Sequence, residues 1–209
     1  MHSKPYTIEQ REKAKSFLII CEGSNTEPAY FKSFPLGNAE VECYGMGSSK
    51  TALVEQVIDI LKKDEDTKLK EVWVVFDFDI RPDQLGQQKM DYNEAIILAE
   101  HNDIKVACSN DCFELWFLLH YQPVTNQWTR HQYYEKLSEL WHCNYQKDGK
   151  AYTFCRNIYQ RLQKDERCSQ DEAILRAQSL HKEHFDRPHA DKNPFTSVFQ
   201  LVQALNAYL

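Results

Sequence analysis

Glycine is scarce in this sequence, and long apolar runs are absent from it. Only 6 of the 209 residues are glycine, which argues against a repeat-rich β architecture and against a glycine-rich loop that cradles phosphate. Residues 45–51, GMGSSKT, lack the Gly-x4-Gly-Lys spacing of a Walker A motif. The longest apolar runs, such as residues 17–21 and 72–76, are far shorter than the roughly 20 residues of a membrane-spanning helix. We therefore predict a protein without a membrane span.

Paired cysteine motifs are also absent. The seven cysteines are odd in number and no two form a CxxC motif, the nearest approach being Cys108 with Cys112. Cysteines at the ends of predicted strands act as small buried hydrophobic residues. Residues 1–15 have no apolar segment after their charges, so we expect no ordinary signal peptide. Together these features predict reduced thiols in the cytoplasm, with neither a disulfide framework nor a zinc site.

The charge balance is acidic. The chain has 31 Asp and Glu against 25 Lys and Arg, which gives a formal net charge of −6. Such a protein binds nucleic acid poorly through non-specific contacts, because affinity for phosphate comes mainly from Lys and Arg. Carboxylates that hold Mg²⁺ can nevertheless bring an acidic protein to phosphate through the metal. The net charge therefore does not exclude a nucleic-acid partner.

Strand and helix patterns alternate in the first half of the chain. Strands are predicted over residues 17–21, 41–44, 71–76 and 104–108, and helices over 25–34, 51–63, 91–101 and 113–120, with a loop at 81–88. Asn25 or Thr26 is the expected cap of the first helix, and Asn110 or Asp111 that of the fourth. Successive β–α units of this kind form a parallel sheet with right-handed crossovers.

After residue 121 the pattern becomes helical. Helices are predicted over residues 129–140, 152–164, 170–184 and 195–209. The predicted class is α/β, with a parallel-sheet core of about four strands, flanking helices and a helical C-terminal layer. The boundaries are a tail at 1–15, a core at 16–121 and a helical region at 122–209, packed as a single domain. Lys and Arg interleave with aromatic residues in the last helices, which form either a solvated surface or a nucleic-acid face.

Acidic residues follow three of the predicted strands. Glu22 comes directly after the first strand, Asp77 and Asp79 follow the third, and Glu114 lies in the first turn of the helix after the fourth. Ligands of open parallel sheets bind at the carboxyl ends of the strands. Asp77 and Asp79 point the same way if the backbone is extended, and close carboxylates repel unless a cation lies between them. Because oxygen ligands suit Mg²⁺ or Mn²⁺, the pattern predicts a divalent-metal site.

Each residue also has a simpler interpretation. An acid after a strand often only caps the next helix. Lys50, at the start of the second helix, either contacts a phosphate at this edge of the sheet or is solvated. Asn110 either orients Glu114 or a metal-bound water, as part of substrate binding, or caps the helix. The joint placement of Glu22, Asp77 and Asp79 is what favours the metal site.

Four segments carry a resemblance to a known family. Glu-Gly after an apolar strand, followed by Asp-x-Asp after a later one, resembles the Toprim domain of topoisomerases, primases and overcoming-lysogenization-defect (OLD) nucleases. More closely, the chain resembles the RloB-like family of prokaryotic proteins. The segments are ICEGSNTEPAYF (20–31), VVFDFD (74–79), CSNDCFELWFLLHY (108–121) and NPFTSVFQLVQAL (193–205). The resemblance covers nearly the whole chain after residue 16. Asp111 departs from the family, which more often has proline there, and is expected to change only the helix entry.

The resemblance implies a Toprim-like fold and metal-dependent hydrolysis of phosphodiester bonds. Glu22 matches the Toprim glutamate, which is a metal ligand or general acid/base, and Asp77 and Asp79 match the metal-binding pair. Glu114 is similar in place to a further glutamate of the OLD nucleases, and Glu27 to their second acid, here five residues after the first. The implied cofactor is Mg²⁺ or Mn²⁺, with two ions.

The resemblance also implies a biological setting. RloB-like proteins stand beside genes for ATPases of the ABC or OLD class, in loci that resemble phage-defence systems. The implied role is an effector nuclease that acts on tRNA, other RNA or DNA with such an ATPase as partner; a homo-oligomer is compatible with the sequence. Two alternatives stay open: a non-catalytic Toprim-like module that docks on the ATPase, and nucleotidyl transfer as in primases, for which no nucleotide-base pocket is indicated.

Overall fold

A five-stranded sheet forms the centre of the computed structural model, which describes residues 14–209. The signal-peptide prediction and nearly all of the predicted tail lie outside the described residues. The strands are β1 (Lys15–Cys21), β2 (Ala39–Gly45), β3 (Glu71–Asp77), β4 (Lys105–Asn110) and β5 (Phe195–Thr196). Their order is β2-β1-β3-β4-β5, in which the first four are parallel and β5 is antiparallel to β4. The α/β class predicted from the sequence is confirmed.

Ten α-helices surround this sheet in the described part of the chain. The first four alternate with the strands: α1 (Thr26–Lys32), α2 (Lys50–Lys63), α3 (Leu85–Glu100) and α4 (Glu114–Leu119). The others are α5 (Arg130–Trp141), α6 (Tyr145–Asp148), α7 (Tyr152–Cys155), α8 (Ile158–Lys164), α9 (Gln170–Glu183) and α10 (Val198–Asn206). Thr129 and Ser169 cap α5 and α9, each accepting a bond from the third amide of its helix.

The central strands bury side chains on both faces of the sheet. Along β1, Phe17 and Ile19 enter one hydrophobic cluster, while Leu18 and Ile20 enter the other. Successive side chains of a strand point to opposite faces, so a continuous apolar run suits a strand that is covered on both sides. Helices α2 and α3 cover one face, and α1, α4 and the C-terminal helices cover the other. This packing leaves the carboxyl edge of the sheet accessible.

The helix before β4 begins earlier than its pattern predicts. Residues 81–88 were expected to be a loop, but α3 begins at Leu85 after a 3₁₀ turn at Pro82–Gln84. The first turns of α3 are largely exposed and polar, and its first buried residue is Tyr92. Apolar periodicity therefore marks only the part of this helix that contacts the sheet.

Two predicted C-terminal helices are also wrong in their bounds. The helix expected over 152–164 is divided into α7 and α8, where the Asn157 side chain donates to the Thr153 carbonyl oxygen at 2.8 Å and competes with the helical backbone. The helix expected over 195–209 begins only at Val198. Its first predicted residues instead form β5, which adds a fifth strand to a sheet predicted to have about four.

The cysteines and the apolar segments can now be located in the structure. All seven cysteines are free, and five of them are buried. None of the helices between residues 14 and 209 has the length and apolar character needed to cross a membrane.

His120 provides a prediction about folding stability and pH. Its ring is 2% exposed, and Nδ1 lies 2.9 Å from the Trp116 carbonyl oxygen. Burial lowers the pKa of His120 to about 4, whereas an unfolded histidine titrates near 6.5. The unfolded state therefore binds more protons below pH 6.5, and His120 should remove about 2 kcal/mol of stability between pH 7.5 and pH 5.

Urea unfolding at several pH values measures this effect. We expect His120→Gln to lose less stability than the wild type over the same interval, whatever its stability at pH 7.5. An equal pH dependence in the two proteins would contradict the assignment of a neutral, buried His120.

Candidate functional site

Four of the predicted acidic residues surround one cavity at the carboxyl edge of the sheet. Glu22, Glu27, Asp77 and Asp79 line it, and its volume is about 280 Å³. Glu22 follows β1, Glu27 lies in the first turn of α1, and Asp77 ends β3. The sheet thus brings together residues that are far apart in the sequence, as the strand-end pattern predicts.

Glu22 is held in place by groups on two neighbouring elements. Its Oε2 accepts the Asp77 amide at 3.3 Å, and its Oε1 accepts the Lys50 Nζ at 3.2 Å. Its backbone nitrogen donates to the Val75 carbonyl oxygen at 2.8 Å, which completes the last β1–β3 pair, Cys21 with Val75. The carboxylate therefore has a fixed orientation at the mouth of the cavity.

Asp77 has one satisfied and one unsatisfied carboxylate oxygen. Its Oδ2 accepts the Phe113 amide at 2.9 Å, whereas Oδ1 is buried and has no hydrogen-bond partner. Burial raises the pKa of Asp77 well above its usual range, and the charges of Glu27 and Glu114 raise it further. Asp77 rather than Asn110 or Asp111 thus satisfies the amide before α4, so the predicted cap is wrong.

Asp79 is presented by a left-handed backbone. Its φ is +58°, so the extended geometry expected for Asp77 and Asp79 does not hold, although both line the cavity. Two arginines bind its carboxylate: Arg130 Nη1 at 2.7 Å and Arg81 Nη2 at 3.3 Å. Gln88 secures the turn by donating to the Asp79 carbonyl oxygen at 2.8 Å and accepting from the Arg81 amide at 2.7 Å.

Glu27 lies against a glycine that leaves room for it. A Cβ on Gly23 would lie 2.2 Å from Glu27 Oε2, so this position must lack a side chain for the carboxylate to stay where it is. Burial raises the pKa of Glu27, and this effect exceeds the opposite effect of Lys150. Glu114 and Glu22 raise it as well. Glu27 and Asp77 are therefore acids that need a cation or a proton nearby.

Glu114 is close to this cluster but does not line the cavity. It is 1% exposed, accepts the Tyr145 hydroxyl at 2.8 Å and pairs with Lys150 Nζ. Burial raises the pKa of Glu114, but Lys150 and the hydrogen bonds outweigh burial and lower it overall. Its Oε2 is buried without a partner. Metal binding by Glu114 stays a prediction. Only its Oε2 could serve as a ligand, because Oε1 is already paired with Lys150.

Lys50 and Asn110 have unequal relations to the site. Lys50 is buried rather than solvated, and it lines a larger groove of about 940 Å³ that shares Glu22 and Asp79 with the first cavity. Asn110 is also buried, but its side chain donates to the Ala190 carbonyl oxygen at 3.1 Å and lines neither cavity. Lys50 therefore belongs to the candidate site by position, and Asn110 lies behind it.

Sequence reasoning missed three residues that shape the site. Arg130 and Lys150 come from the helical region and line the cavity. Asp111 joins them, because its Oδ1 accepts the Ile80 amide at 2.8 Å and its Oδ2 accepts the Arg130 amide at 3.1 Å. Asp111 thus does more than change the helix entry. No motif marks these residues; the only local signal is Thr129, the cap that fixes where α5 begins.

The carboxylate oxygens at the cavity suit a divalent cation, although the side chains are not arranged around one. Among residues 14–209, no group of three or more His, Cys, Asp or Glu side chains is arranged to hold a metal ion as the side chains stand. Each of three predicted ligands instead carries an internal cation: Glu22 with Lys50, Asp79 with Arg130, and Glu114 with Lys150. Carboxylate oxygens are the ligands that Mg²⁺ and Mn²⁺ prefer. The unpartnered Oδ1 of Asp77 and the repulsion between the acids fit such an ion.

Comparison with known proteins identifies the family. The model of the family described as RloB-like protein matches residues 17–205, which is nearly the whole chain. A search of curated proteins finds no match. The match includes all of the acidic residues at the cavity, together with Arg130 and Lys150. The chain belongs to the RloB-like protein family.

Proposed function

We propose that this protein is a Mg²⁺- or Mn²⁺-dependent nuclease with a Toprim-like site that hydrolyses phosphodiester bonds in nucleic acid. The observation that carries the proposal is the cavity where Glu22, Glu27, Asp77 and Asp79 meet, with the buried Asp77 Oδ1 lacking a partner. Crowded carboxylates at the carboxyl edge of a sheet have no evident structural use without a cation.

The residues of the site divide into ligands and supports. Asp77, Asp79 and Glu27 are the proposed ligands, with Glu114 behind them. The chemistry that divalent ions supply at such a site is activation of a water molecule and stabilisation of the leaving oxygen. Glu22 is a further ligand or accepts a proton at its carboxylate, and Lys50 holds it in orientation.

The proposed setting is that of an effector in a prokaryotic anti-phage system. Membership of the RloB-like family supports this, and the sequence contains no Walker A motif, so any ATP hydrolysis would require a partner chain of the ABC or OLD class. The proposed substrate is tRNA, another RNA or DNA, and the proposed location is the cytoplasm.

A substrate panel tests the proposed activity. Purified protein is incubated with end-labelled tRNA, single-stranded DNA and duplex DNA, with Mn²⁺ or with EDTA. We expect cleavage of at least one substrate that requires metal and is absent from an Asp77→Ala preparation made in parallel. Equal cleavage by both preparations would identify a contaminant and contradict the proposal.

The ion pairs of the site favour one second candidate, a non-catalytic module that docks on an ATPase partner. Lys50, Arg130 and Lys150 already neutralise the acids to which they are paired. Calorimetric titration with Mn²⁺ separates the two functions. A nuclease should show a saturable site that Asp77→Ala removes, whereas a docking module should show none.

Gly23 provides a prediction about the metal site that leaves the acids themselves unchanged. In Gly23→Ala the new methyl group would displace the Glu27 carboxylate, which is the flexible end of a side chain. We therefore expect a change in unfolding free energy below about 1 kcal/mol and a loss of Mn²⁺ affinity of about tenfold. Calorimetry and thermal unfolding measure the two effects.

Gly86→Ala is the matched control for this substitution. Gly86 lies in α3, and a Cβ there would meet nothing within 4 Å. We expect its Mn²⁺ affinity to equal that of the wild type. Unchanged affinity in Gly23→Ala would show that Glu27 is not a ligand.

A further inference from the structure

Arg130 comes from the helical region and lines the cavity that the carboxylates surround. It is the first residue of α5, and its Nη1 lies 2.7 Å from Asp79 Oδ1 at the wall of the 280 Å³ cavity. Its side chain is 36% exposed, so it is accessible from the cavity. Its Nε is buried and has no hydrogen-bond partner.

Arg130 is a permanent cation among the acids, because an arginine side chain is not deprotonated in proteins. A guanidinium group carries five N–H donors in a planar fork, which matches the oxygens of a phosphate. The contact with Asp79 uses only part of this fork.

Neutralisation of Asp79 does not by itself account for Arg130. Arg81 also contacts the Asp79 carboxylate, at 3.3 Å, and its side chain is 60% exposed. Asp79 thus has a second arginine from its own turn, at the outer side of the site. Arg130 instead comes from a distant part of the chain and lies among several acids, where a purely structural ion pair gives little stability.

The position of Arg130 relative to Asp79 is set by one buried carboxylate. Asp111 accepts the Ile80 amide and the Arg130 amide, one on each oxygen, and so ties the turn of Asp79 to the first residue of α5. Such bonds fix the start of the Arg130 side chain while leaving its end free to change partner. This is the arrangement expected of a group that contacts a ligand.

From these contacts we propose that Arg130 binds the phosphate of the substrate in the carboxylate cavity. The inference rests on the proposed function, because the phosphate is that of a nucleic acid whose cleaved bond lies at the acids. Divalent ions held by the acids would neutralise Asp79 in place of Arg130, and the Arg130 fork would then be available to the phosphate oxygens. The C-terminal helical region is thereby part of the substrate site rather than a separate layer.

Binding measurements that do not depend on cleavage test this proposal. A fluorescently labelled oligonucleotide of the strand type that the wild type binds is titrated with each protein in Ca²⁺, and anisotropy gives Kd. We expect Arg130→Gln to raise Kd by about tenfold or more, since it removes a charge-assisted contact. Arg130→Lys should recover only part of the affinity, because an ammonium cannot bind bidentately. Mn²⁺ affinity, measured by calorimetry, should be unchanged or higher.

Lys136→Gln is the matched control. Lys136 lies on the same helix, pairs with Glu139 at 2.9 Å and does not line the cavity. We expect its Kd to stay within about twofold of the wild-type value. Thermal unfolding of each variant verifies that it folds, and Arg130→Lys supplies the comparison if Arg130→Gln does not.

Three outcomes would overturn the proposal. The first is an unchanged Kd in Arg130→Gln, and the second is a rise in Kd for Lys136→Gln equal to that for Arg130→Gln. The third is a loss of Mn²⁺ affinity in Arg130→Gln that accompanies its rise in Kd, which would make Arg130 only a support for Asp79. Failure of the nuclease proposal would give a different experimental result. In that case the wild type cleaves nothing, yet the dependence of oligonucleotide binding on Arg130 is retained.

Discussion

Asp77→Asn is expected to lower the rate of phosphodiester cleavage by about a thousandfold or more, with the fold intact. The carboxylate has separate structural and chemical oxygens: Oδ2 accepts the Phe113 amide, and Oδ1 is buried and unpartnered. The asparagine carbonyl can still accept the Phe113 amide, so the start of α4 is retained. The charge needed to hold a cation is lost, and stabilisation by a bound metal is worth several kcal/mol, each 1.4 kcal/mol being a factor of ten in rate.

Initial cleavage rates with Mn²⁺, on the best substrate of the panel, measure this loss. Asp83→Asn is the control, because Asp83 is exposed in the turn before α3 and lines neither cavity. It should cleave at the wild-type rate. If Asp77→Asn retains wild-type activity while both variants melt like the parent protein, the assignment of Asp77 as a ligand is wrong.

The sheet and the position of the acids could be predicted because each depends on short-range sequence patterns. The apolar runs of β1 and β3 are buried on both faces, and such runs have few other structural solutions. An acid directly after a parallel strand must lie at the carboxyl edge, which places Glu22 and Asp77 together before any contact is known. The family resemblance, confirmed over residues 17–205, rests on the same segments.

The other half of the site depends on long-range packing that has no local pattern. Arg130 and Lys150 reach the cavity because the helical region packs over α1 and α4, and nothing in their own neighbourhood indicates this. The left-handed backbone of Asp79 is stabilised by Gln88, nine residues away, in a segment predicted to be a loop. The strand β5 has only two residues, too few for any periodicity to be recognised.

Lys150→Met is expected to have the largest effect on stability, a loss of about 3 kcal/mol at pH 7.5. Glu114 is almost fully buried, and Lys150 and the Tyr145 hydroxyl are its partners. The Lys150 side chain is 43% exposed, but its removal leaves the buried Glu114 carboxylate uncompensated, which costs several kcal/mol. Lys150 Nζ also lies 5.2 and 5.9 Å from the ring centroids of Tyr134 and Tyr145. Methionine is unbranched and similar in length to the lysine stem, so the substitution removes mainly the charge and its contacts.

The pH dependence of the variant identifies the cause of this loss. Lys150 now lowers the pKa of Glu114 against the effect of burial; without Lys150, burial should raise that pKa above its unfolded value. A carboxyl whose folded pKa is raised gives stability below its unfolded pKa and loses it as pH rises through the folded pKa. The deficit of Lys150→Met, relative to the wild type, should therefore shrink from pH 7.5 towards pH 5.

A double variant separates the buried charge from lost packing. In Lys150→Met with Glu114→Gln, the amide can still accept the Tyr145 hydroxyl and no charge is left to compensate. We expect urea unfolding at pH 7.5 to find the double variant more stable than Lys150→Met alone, a coupling that independent sites do not show. If the losses of stability in Lys150→Met and in Glu114→Gln alone simply add in the double variant, Lys150 stabilises the fold through its packing. The charge of Lys150 would then contribute little to the position of the acids at the cavity.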